Sequence, residues 1–176
     1  SVRIEDPSGC PRYAAAVVQG VTISPSPLWL RNRLHVLGVR PISNIVDVTN
    51  WILLYDNQPL HAFDLRLLPD GEIIVRRAER GEPIVTLDGV DRELLESDLV
   101  IASRERPVAV AGVMGGEGTA ITDDTTDVLI ECAYFDPDTI RHTSARLHLM
   151  SESSYRFERG TDPSPLPEVV TRAASM

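Results

Sequence analysis

The sequence predicts an α+β fold with mixed, largely antiparallel sheets, packed helices and two closely joined sub-lobes. Residues 26–38 and 43–56 repeat their apolar side chains at helical intervals between start and stop signals. From 61 to 118 the period becomes strand-like, with short apolar runs separated by Gly, Pro and Asp. Two more apolar runs, 13–23 and 127–135, are typical of buried strands.

The length of 176 residues allows one sizeable core or two closely packed halves. Residues 1–12 are predicted to be a linker into the first strand, and residues 13–170 to form the domain, with a division between sub-lobes near residue 80. Residues 171–176 begin a continuing helix with no stop signal. We therefore expect the chain to be a fragment of a longer polypeptide.

The two early helices have different start signals. Ser26 and Pro27 provide a cap and a first-turn proline for the first helix, and Gly38 ends it. Ser43 and Asp47 bracket the start of the second helix. The apolar side chains of this second helix recur three and four residues apart, which predicts a buried stripe consisting of Ile45, Val48, Ile52 and Tyr55.

The elements after residue 61 are mostly strands. Four apolar runs predict largely antiparallel strands at 72–78, 83–87, 98–102 and 107–114. Asp88-Gly89, after the second run, predicts a tight turn. Asp136 and Pro137 open another helix, and the polar segment that follows it offers candidates for internal ion pairs at Arg156, Glu158 and Arg159.

Composition restricts the function classes. The net charge of −9 argues against non-specific nucleic-acid binding, because such binding depends on clustered cations. No apolar run approaches the roughly 20 residues needed to cross a bilayer. Cys10 and Cys132 show no paired spacing typical of a metal site or a disulfide framework, which fits a reducing cytoplasm.

A first group of candidate site residues lies around the end of the second helix. Thr49 and Asn50 lie beside the apolar stripe, and His61 follows the break that Gln58-Pro59 introduces. These three side chains are predicted to converge on one cleft. The same pattern also fits structural roles, in which Thr49 bonds its own helix, Asn50 caps a neighbour and His61 is a satisfied core residue.

A second group lies in the strand-rich half. The glycines from Gly112 to Gly118 lack the lysine and the βαβ context of a phosphate-binding loop. They either let the backbone pass close to a ligand or form a bulge and a turn. Glu131 interrupts an apolar strand, so it is either exposed at an edge or buried and hydrogen-bonded. A buried Glu131 would mark a site.

Arg40 and three serines complete the candidate set. Arg40 lies in an extended segment before Pro41, where it either points at an anion or caps the preceding helix. The serines form a hydroxyl cluster at Ser151, Ser153 and Ser154. No Ser/His/Asp order, metal cluster or nucleophile elbow is recognisable. Such a set is suited to selecting a small polar-aromatic ligand and placing a water beside a labile bond.

Five strings occur in a fixed order along nearly the whole chain: DVTN (47–50), QPLHAFD (58–64), VMGGE (113–117), ECAYF (131–135) and YRFERGTDP (155–163). Together they resemble the B3/B4 domain of the bacterial phenylalanyl-tRNA synthetase beta subunit. The resemblance implies that residues 13–170 form an editing domain, which hydrolyses the ester of tyrosine wrongly attached to tRNA(Phe).

The resemblance also implies roles for individual positions. By match to the family's motifs, Glu131 receives the tyrosine hydroxyl, and neutral side chains orient a water, with His61 as general base the other option. The implied catalytic positions are His61, Thr49 and Asn50. The implied substrate-binding positions are Glu131, Gly112, Gly115, Ser151, Ser153 and Arg40. The family often has threonine at the position of Ser151 and alanine at that of Ser153, so this pocket is expected to be more polar.

Partners and cofactors follow from the same resemblance. It implies no cofactor or metal in this domain, and ATP and Mg²⁺ for the parent synthetase. The implied partners are the acceptor end of tRNA(Phe) carrying tyrosine and a catalytic alpha subunit in a heterotetramer, with no membrane. Two other hypotheses are a non-catalytic module that docks tRNA or protein, and a free-standing editing protein, against which the unfinished C-terminal helix argues.

Overall fold

The computed structural model describes residues 1–176, except for the side chain of Asp70. Its strands, numbered along the chain, are β1 (Val2–Ile4), β2 (Arg12–Gln19), β3 (Leu60–Asp64), β4 (Ile73–Arg77), β5 (Pro83–Val85), β6 (Asp91–Glu93), β7 (Leu99–Ala102), β8 (Pro107–Val110), β9 (Met114–Gly115) and β10 (Asp127–Tyr134). Its α-helices are α1 (Leu28–Val36), α2 (Asn44–Tyr55), α3 (Pro137–Leu147), α4 (Glu152–Phe157) and α5 (Leu166–Ser175).

The strands of the described chain form three sheets. A five-stranded sheet has the order β1-β4-β7-β8-β9, a three-stranded sheet has the order β2-β10-β3, and β5 and β6 form a hairpin. Strand β1 runs parallel to β4, whereas the other named pairs are antiparallel. The prediction of an α+β fold with mixed, largely antiparallel sheets is therefore confirmed.

The three-stranded sheet lies between two hydrophobic cores. Successive side chains of a strand point to opposite faces. On β10, Val128, Ile130 and Cys132 therefore pack with the helices α1, α2 and α5. Leu129 and Ala133, on the other face, pack with the five-stranded sheet. Burial on both faces explains why this strand is an almost continuous apolar run.

The two cores are divided by this sheet and not by a position near residue 80, where the sequence suggested a split. Ala78 and Ile84, on either side of that position, belong to the same core. The other core takes its helices from both ends of the chain, since α1, α2 and α5 all contribute to it. The hydrophobic pattern along the chain does not reveal which segments share a core, because it indicates which side chains are buried and not which elements they pack against.

Residues 1–12 are part of the folded unit and not the linker that the sequence suggested. Val2–Ile4 pair with Ile73–Val75 in a parallel ladder, and Cys10 is fully buried in the core of the five-stranded sheet. A three-residue strand is too short to show an apolar period, and backbone pairing can hold it with almost any sequence. At the other end, α5 begins at Leu166, ahead of residue 171.

The start of the helical layer also differs from the prediction. Ser26 does not cap α1; its hydroxyl donates to Asp47 Oδ2 at 2.6 Å. Asp47 Oδ1 accepts from the amide of Ile42 at 2.7 Å, so this buried carboxylate ties the segments before α1 and α2 together. Tyr55 does not join the buried stripe of α2, because it is 66% exposed and stacks on Trp51.

Candidate functional site

Glu131 and His61 lie directly opposite each other on neighbouring strands. Glu131 is in the middle of β10, with His61 of β3 as its register partner on one side and Ala15 of β2 on the other. It is 5% exposed and is on the face that packs toward the five-stranded sheet. Gln58 donates its amide to the carbonyl of Ala133 at 2.9 Å and so holds the start of β3 against β10. The two polar side chains are thus positioned by regular strand pairing.

Burial dominates the electrostatics of Glu131. Removal of the carboxyl from water raises its pKa to about 8, although the neighbouring Tyr13 hydroxyl offsets part of that rise. Among the described residues, no group makes a hydrogen bond to Glu131 Oε2. At neutral pH the carboxyl of the empty site is therefore mostly protonated, and it retains unused hydrogen-bonding capacity.

His61 is shifted in the opposite direction by the same cause. Burial lowers its pKa to about 4, so the imidazole is neutral at physiological pH. Its Nε2 is enclosed and has no hydrogen-bond partner in the described part of the chain. The ring packs edge-to-face on Phe63 with centroids 4.4 Å apart. A Cβ added at Gly115 would clash with the His61 ring, so the ring requires glycine at that position.

Glu131 and His61 both line a small inner cavity between the two large sheets. Its volume is about 50 Å³. Its walls are mainly apolar side chains and glycine backbone, and the lining residues are Pro59, Leu60, His61, Ile101, Ala109, Val110, Gly112, Val113, Met114, Gly115, Glu131, Ser153 and Phe157. A partly open space with mainly apolar walls, a carboxyl and an imidazole is suited to a ligand with one apolar ring and few polar groups.

A second cavity of about 190 Å³, which we call the outer cavity because residues of α2 line it, adjoins the first. Leu60 and His61 line both cavities. The further lining residues of the outer cavity are Val46, Thr49, Ala62, Leu87, Ala120 and Ile121. The imidazole therefore lies at the boundary between the two spaces, with the carboxyl on one side and the Thr49 side chain on the other.

The structure brings most of the candidate residues together. Glu131, His61 and Ser153 line the inner cavity together with both candidate glycines, and Thr49 lines the outer one. The hydroxyl of Thr49 donates to the carbonyl of Val46 at 2.8 Å, which is the helix back-bond that the sequence also allowed. Gly112 has φ +67°, and a Cβ there would crowd Ile140, Phe135 and Phe157. Core packing alone thus accounts for this glycine.

Three candidates lie outside the cavities. Ser151 caps α4, accepts from the amide of Ser154, and donates to the carbonyl of Val113 at 2.7 Å. Asn50, on α2, is half-buried, and Arg40 is exposed in the loop between α1 and α2. Among the described residues, neither is part of the lining of the inner or the outer cavity. Contact of Asn50 or Arg40 with a ligand thus requires a ligand that extends beyond these spaces.

Sequence reasoning missed several site residues. The Tyr13 hydroxyl approaches the Glu131 carboxyl from β2 closely enough to lower the pKa of that carboxyl, and Phe157 of α4 and Leu87 of the β5–β6 turn form cavity walls. Tyr13 is in the first apolar run, where alternation indicates which residues share a face. The pairing of that face with Glu131 depends on the β2–β10 register, which is not visible in the sequence.

Metal binding has no obvious location in the described chain. Over those residues, no group of three or more His, Cys, Asp or Glu side chains is arranged to hold a metal ion. No helix there is both long and apolar enough to cross a membrane.

Comparison with known proteins shows strong similarity to one family. The family model of the B3/4 domain matches residues 9–176. Phenylalanine–tRNA ligase beta subunits from Moorella thermoacetica and Carboxydothermus hydrogenoformans are 56% and 52% identical to the whole chain. The chain spans 22% of the length of each.

One solved structure shows a similar fold. It is an N-terminal fragment of the phenylalanyl-tRNA synthetase beta subunit from Pyrococcus horikoshii, with a TM-score of 0.53 and 16% identity. The similarity covers 75% of this chain and 43% of that one. At this level of identity the similarity supports the fold.

Proposed function

Since the B3/4 domain model matches nearly the whole chain, the protein belongs to that family, and we propose that it is the editing domain of a phenylalanine–tRNA ligase beta subunit. In this proposal the domain hydrolyses the ester that joins tyrosine to tRNA(Phe) after mischarging. The observation that carries the proposal is the buried Glu131 carboxyl, which lines an apolar cavity opposite His61.

The discrimination that editing requires follows from the hydroxyl group. A pocket shaped for phenylalanine rejects an isostere with an added hydroxyl by only about 10², whereas a site that hydrogen-bonds the hydroxyl rejects the analogue without it by roughly 10⁴–10⁵. Glu131 is buried and lines the inner cavity, so the hydroxyl of a phenol bound there would pair with its carboxyl. Phenylalanine would offer the carboxyl no such partner.

The position of His61 supports a location for the ester. With the phenol beside Glu131, the amino-acid backbone extends toward His61, and the terminal ribose lies on the side of the outer cavity. A histidine with a pKa of about 4 is a poor general base at neutral pH. Its role in the proposal is that of a neutral hydrogen-bonding group. It orients a water near the ester carbonyl, and catalysis depends on positioning and electrostatics.

The wider enzyme belongs to the same proposal, since the chain spans only 22% of its relatives. The acceptor end of tRNA(Phe) would reach this site from a cytoplasmic complex in which a catalytic alpha subunit uses ATP and Mg²⁺ for ligation. The acidic character of this chain, with a net charge of −9, implies that other parts of the complex supply much of the tRNA affinity.

The deciding experiment measures loss of the amino acid from preformed Tyr-tRNA(Phe) and Phe-tRNA(Phe) in the full-length synthetase. We expect the wild-type enzyme to hydrolyse the tyrosyl ester and to spare the phenylalanyl ester. Glu131→Ala should slow the tyrosyl reaction by about 10- to 100-fold, because a hydrogen bond to a buried charged or polar group is lost. The matched control is Glu105→Ala, which removes an exposed carboxylate in the β7–β8 loop.

Two results would contradict the proposal. If wild-type enzyme leaves both aminoacyl-tRNAs equally stable, the domain is not an editing esterase and the hypothesis of a docking module is favoured. If Glu131→Ala and Glu105→Ala behave alike while tyrosine is still removed, Glu131 is not the selecting group.

A further inference from the structure

The three strands of the central sheet each contribute one polar side chain with an enclosed, unpaired atom. Within the described residues these atoms are Tyr13 Oη on β2, Glu131 Oε2 on β10 and His61 Nε2 on β3. Buried polar groups in native proteins nearly always have partners. Three unpaired groups side by side therefore indicate a polar site that is incomplete without a ligand, and Tyr13 is the member with no role in the proposed reaction.

Tyr13 reaches Glu131 along the face of the sheet. Its register partner is Ala133, two residues along β10 from Glu131, and both side chains point to the same face. Diagonal neighbours of this kind are about 7–8 Å apart at Cα, within reach of an aromatic side chain. The ring packs against the core of the five-stranded sheet. Tyr13 is not among the described residues that line the inner cavity. It therefore approaches the carboxyl from behind the cavity.

The two groups influence each other as a donor and an acceptor do. The Tyr13 hydroxyl lowers the pKa of Glu131 relative to burial alone. Burial and then the nearby carboxyl raise the pKa of Tyr13 well above its usual value, so the phenol keeps its proton. A permanently protonated phenol is a donor that stabilises the ionised form of the neighbouring carboxyl.

Other titratable groups near Glu131 stay neutral between pH 6 and 9. The thiols of Cys10 and Cys132 have pKa values raised to about 12 by burial. His61, on the adjacent strand, has its pKa lowered to about 4. In this range the carboxyl is therefore the group near the inner cavity whose charge changes.

We propose, on the basis of the editing function above, that Tyr13 is a positioning residue: when Glu131 is ionised, the Tyr13 hydroxyl donates to Oε2, which is unpaired in the empty site, and Oε1 is left for the phenol of the substrate. The carboxylate then accepts two hydrogen bonds, one from the protein and one from the ligand. Selection of tyrosine thus depends on a phenol of the protein itself, although that phenol does not touch the substrate.

The test is Tyr13→Phe in the full-length synthetase, assayed with Tyr-tRNA(Phe) and Phe-tRNA(Phe) from pH 6 to 8.5. The substitution keeps the ring and removes only the hydroxyl. We expect kcat/KM for the tyrosyl substrate at pH 7 to fall about tenfold, mainly through KM, because the hydrogen bond that favours the ionised Glu131 carboxyl is lost. The rise of kcat/KM with pH, which reports the free enzyme, should move to higher pH. Slow loss of phenylalanine should not change.

Tyr134→Phe is the matched control. Tyr134 is at the end of β10, one residue beyond Ala133, and packs on the helical side of the sheet. Tyr134→Phe should leave the rate, the pH profile and the selectivity as in wild type.

The outcomes separate this inference from the proposed function. If wild type removes tyrosine and Glu131→Ala does not, but Tyr13→Phe matches wild type in rate and pH profile, the positioning role is wrong and the editing function stands. If Tyr13→Phe slows the tyrosyl and phenylalanyl reactions equally with an unshifted profile, the role is merely structural and the inference is again wrong. If wild type removes no tyrosine, both proposals fall.

Discussion

Burial has the same chemical effect on Glu131 and His61, although it shifts their pKa values in opposite directions. It disfavours the charged form of each group, so the pKa of Glu131 rises to about 8 and that of His61 falls to about 4. Between these values the empty site holds two neutral polar groups in an apolar space. Such a site is suited to recognising a neutral phenol and to orienting a water.

The first prediction concerns Glu131 and the pH dependence of stability. The carboxyl has a pKa of about 8 in the folded protein and an ordinary value of 4.5. Its protonated form is favoured by folding, so this contribution to stability is full below about pH 4.5 and is lost as the pH rises through about 8. Glu131→Gln cannot titrate. We expect its free energy of unfolding to gain roughly 3 kcal/mol on wild type between pH 5 and pH 8.

Urea denaturation of both proteins at several pH values measures this difference. The His61 contribution has the opposite sign, since it is lost as the pH falls from about 6.5 toward 4, but it is present in both proteins and cancels in the comparison. Parallel pH curves for wild type and Glu131→Gln would show that the carboxyl is not held in its protonated form.

The elements of the chain differ in how well the sequence predicts them. The helix after Asp136-Pro137 is present as α3, with Asp136 capping the amide of Thr139, and the Asp88-Gly89 turn joins β5 to β6. Helix α4 was not predicted, because six residues following a serine-rich start are too few to show a helical period. Its start depends on a capping box between Ser151 and Ser154, and its end is anchored by Phe157 in the core.

The second prediction contrasts two serines of this element. Ser151 caps α4 and also binds the carbonyl of Val113, whereas Ser153 lines the inner cavity. Ser151→Ala should lower the free energy of unfolding by about 1–2 kcal/mol through the lost cap. Ser151→Thr should retain most of the stability, because threonine also caps helices.

Ser153→Ala is the control for stability and should stay within about 0.5 kcal/mol of wild type. This substitution removes one hydroxyl from the wall of the inner cavity. Chemical denaturation of Ser151→Ala, Ser151→Thr and Ser153→Ala measures their free energies of unfolding. An equal loss of stability in Ser151→Ala and Ser153→Ala would mean that the capping hydroxyl contributes nothing specific.

The whole molecule is organised by the three-stranded sheet, which both cores share. The helices α1, α2 and α5 cover one face, and the five-stranded sheet covers the other. The inner cavity lies on the second side, between the two sheets. Because β10 contributes side chains to both cores, neither core is complete without it, and we expect the protein to unfold as one unit.

The third prediction tests this cooperation. Leu129 is 4% exposed and faces the five-stranded sheet, whereas the two tryptophans, Trp29 and Trp51, lie on α1 and α2 in the opposite layer. Leu129→Ala should destabilise the protein by about 2–5 kcal/mol. The tryptophan fluorescence transition should shift by the same amount as the transition in far-ultraviolet circular dichroism.

Ile130→Ala is the matched variant, since Ile130 is 3% exposed and faces the helical layer. Both variants should give coincident transitions with the two probes. A fluorescence transition that stays at its wild-type midpoint in Leu129→Ala would show that the helical layer unfolds separately.

The sequence by itself determined the α+β class, most of the helices and strands, and Glu131 and His61 as candidate site residues. These properties depend on local patterns, because periodicity, caps and a charged residue within an apolar strand are visible along the chain. The tertiary structure alone decided that Glu131 lies opposite His61, that Tyr13 lies behind the carboxyl, and that Arg40, Asn50 and Ser151 lie outside the cavities. Strand register and sheet stacking determine these positions. Both arise from contacts between segments far apart in sequence.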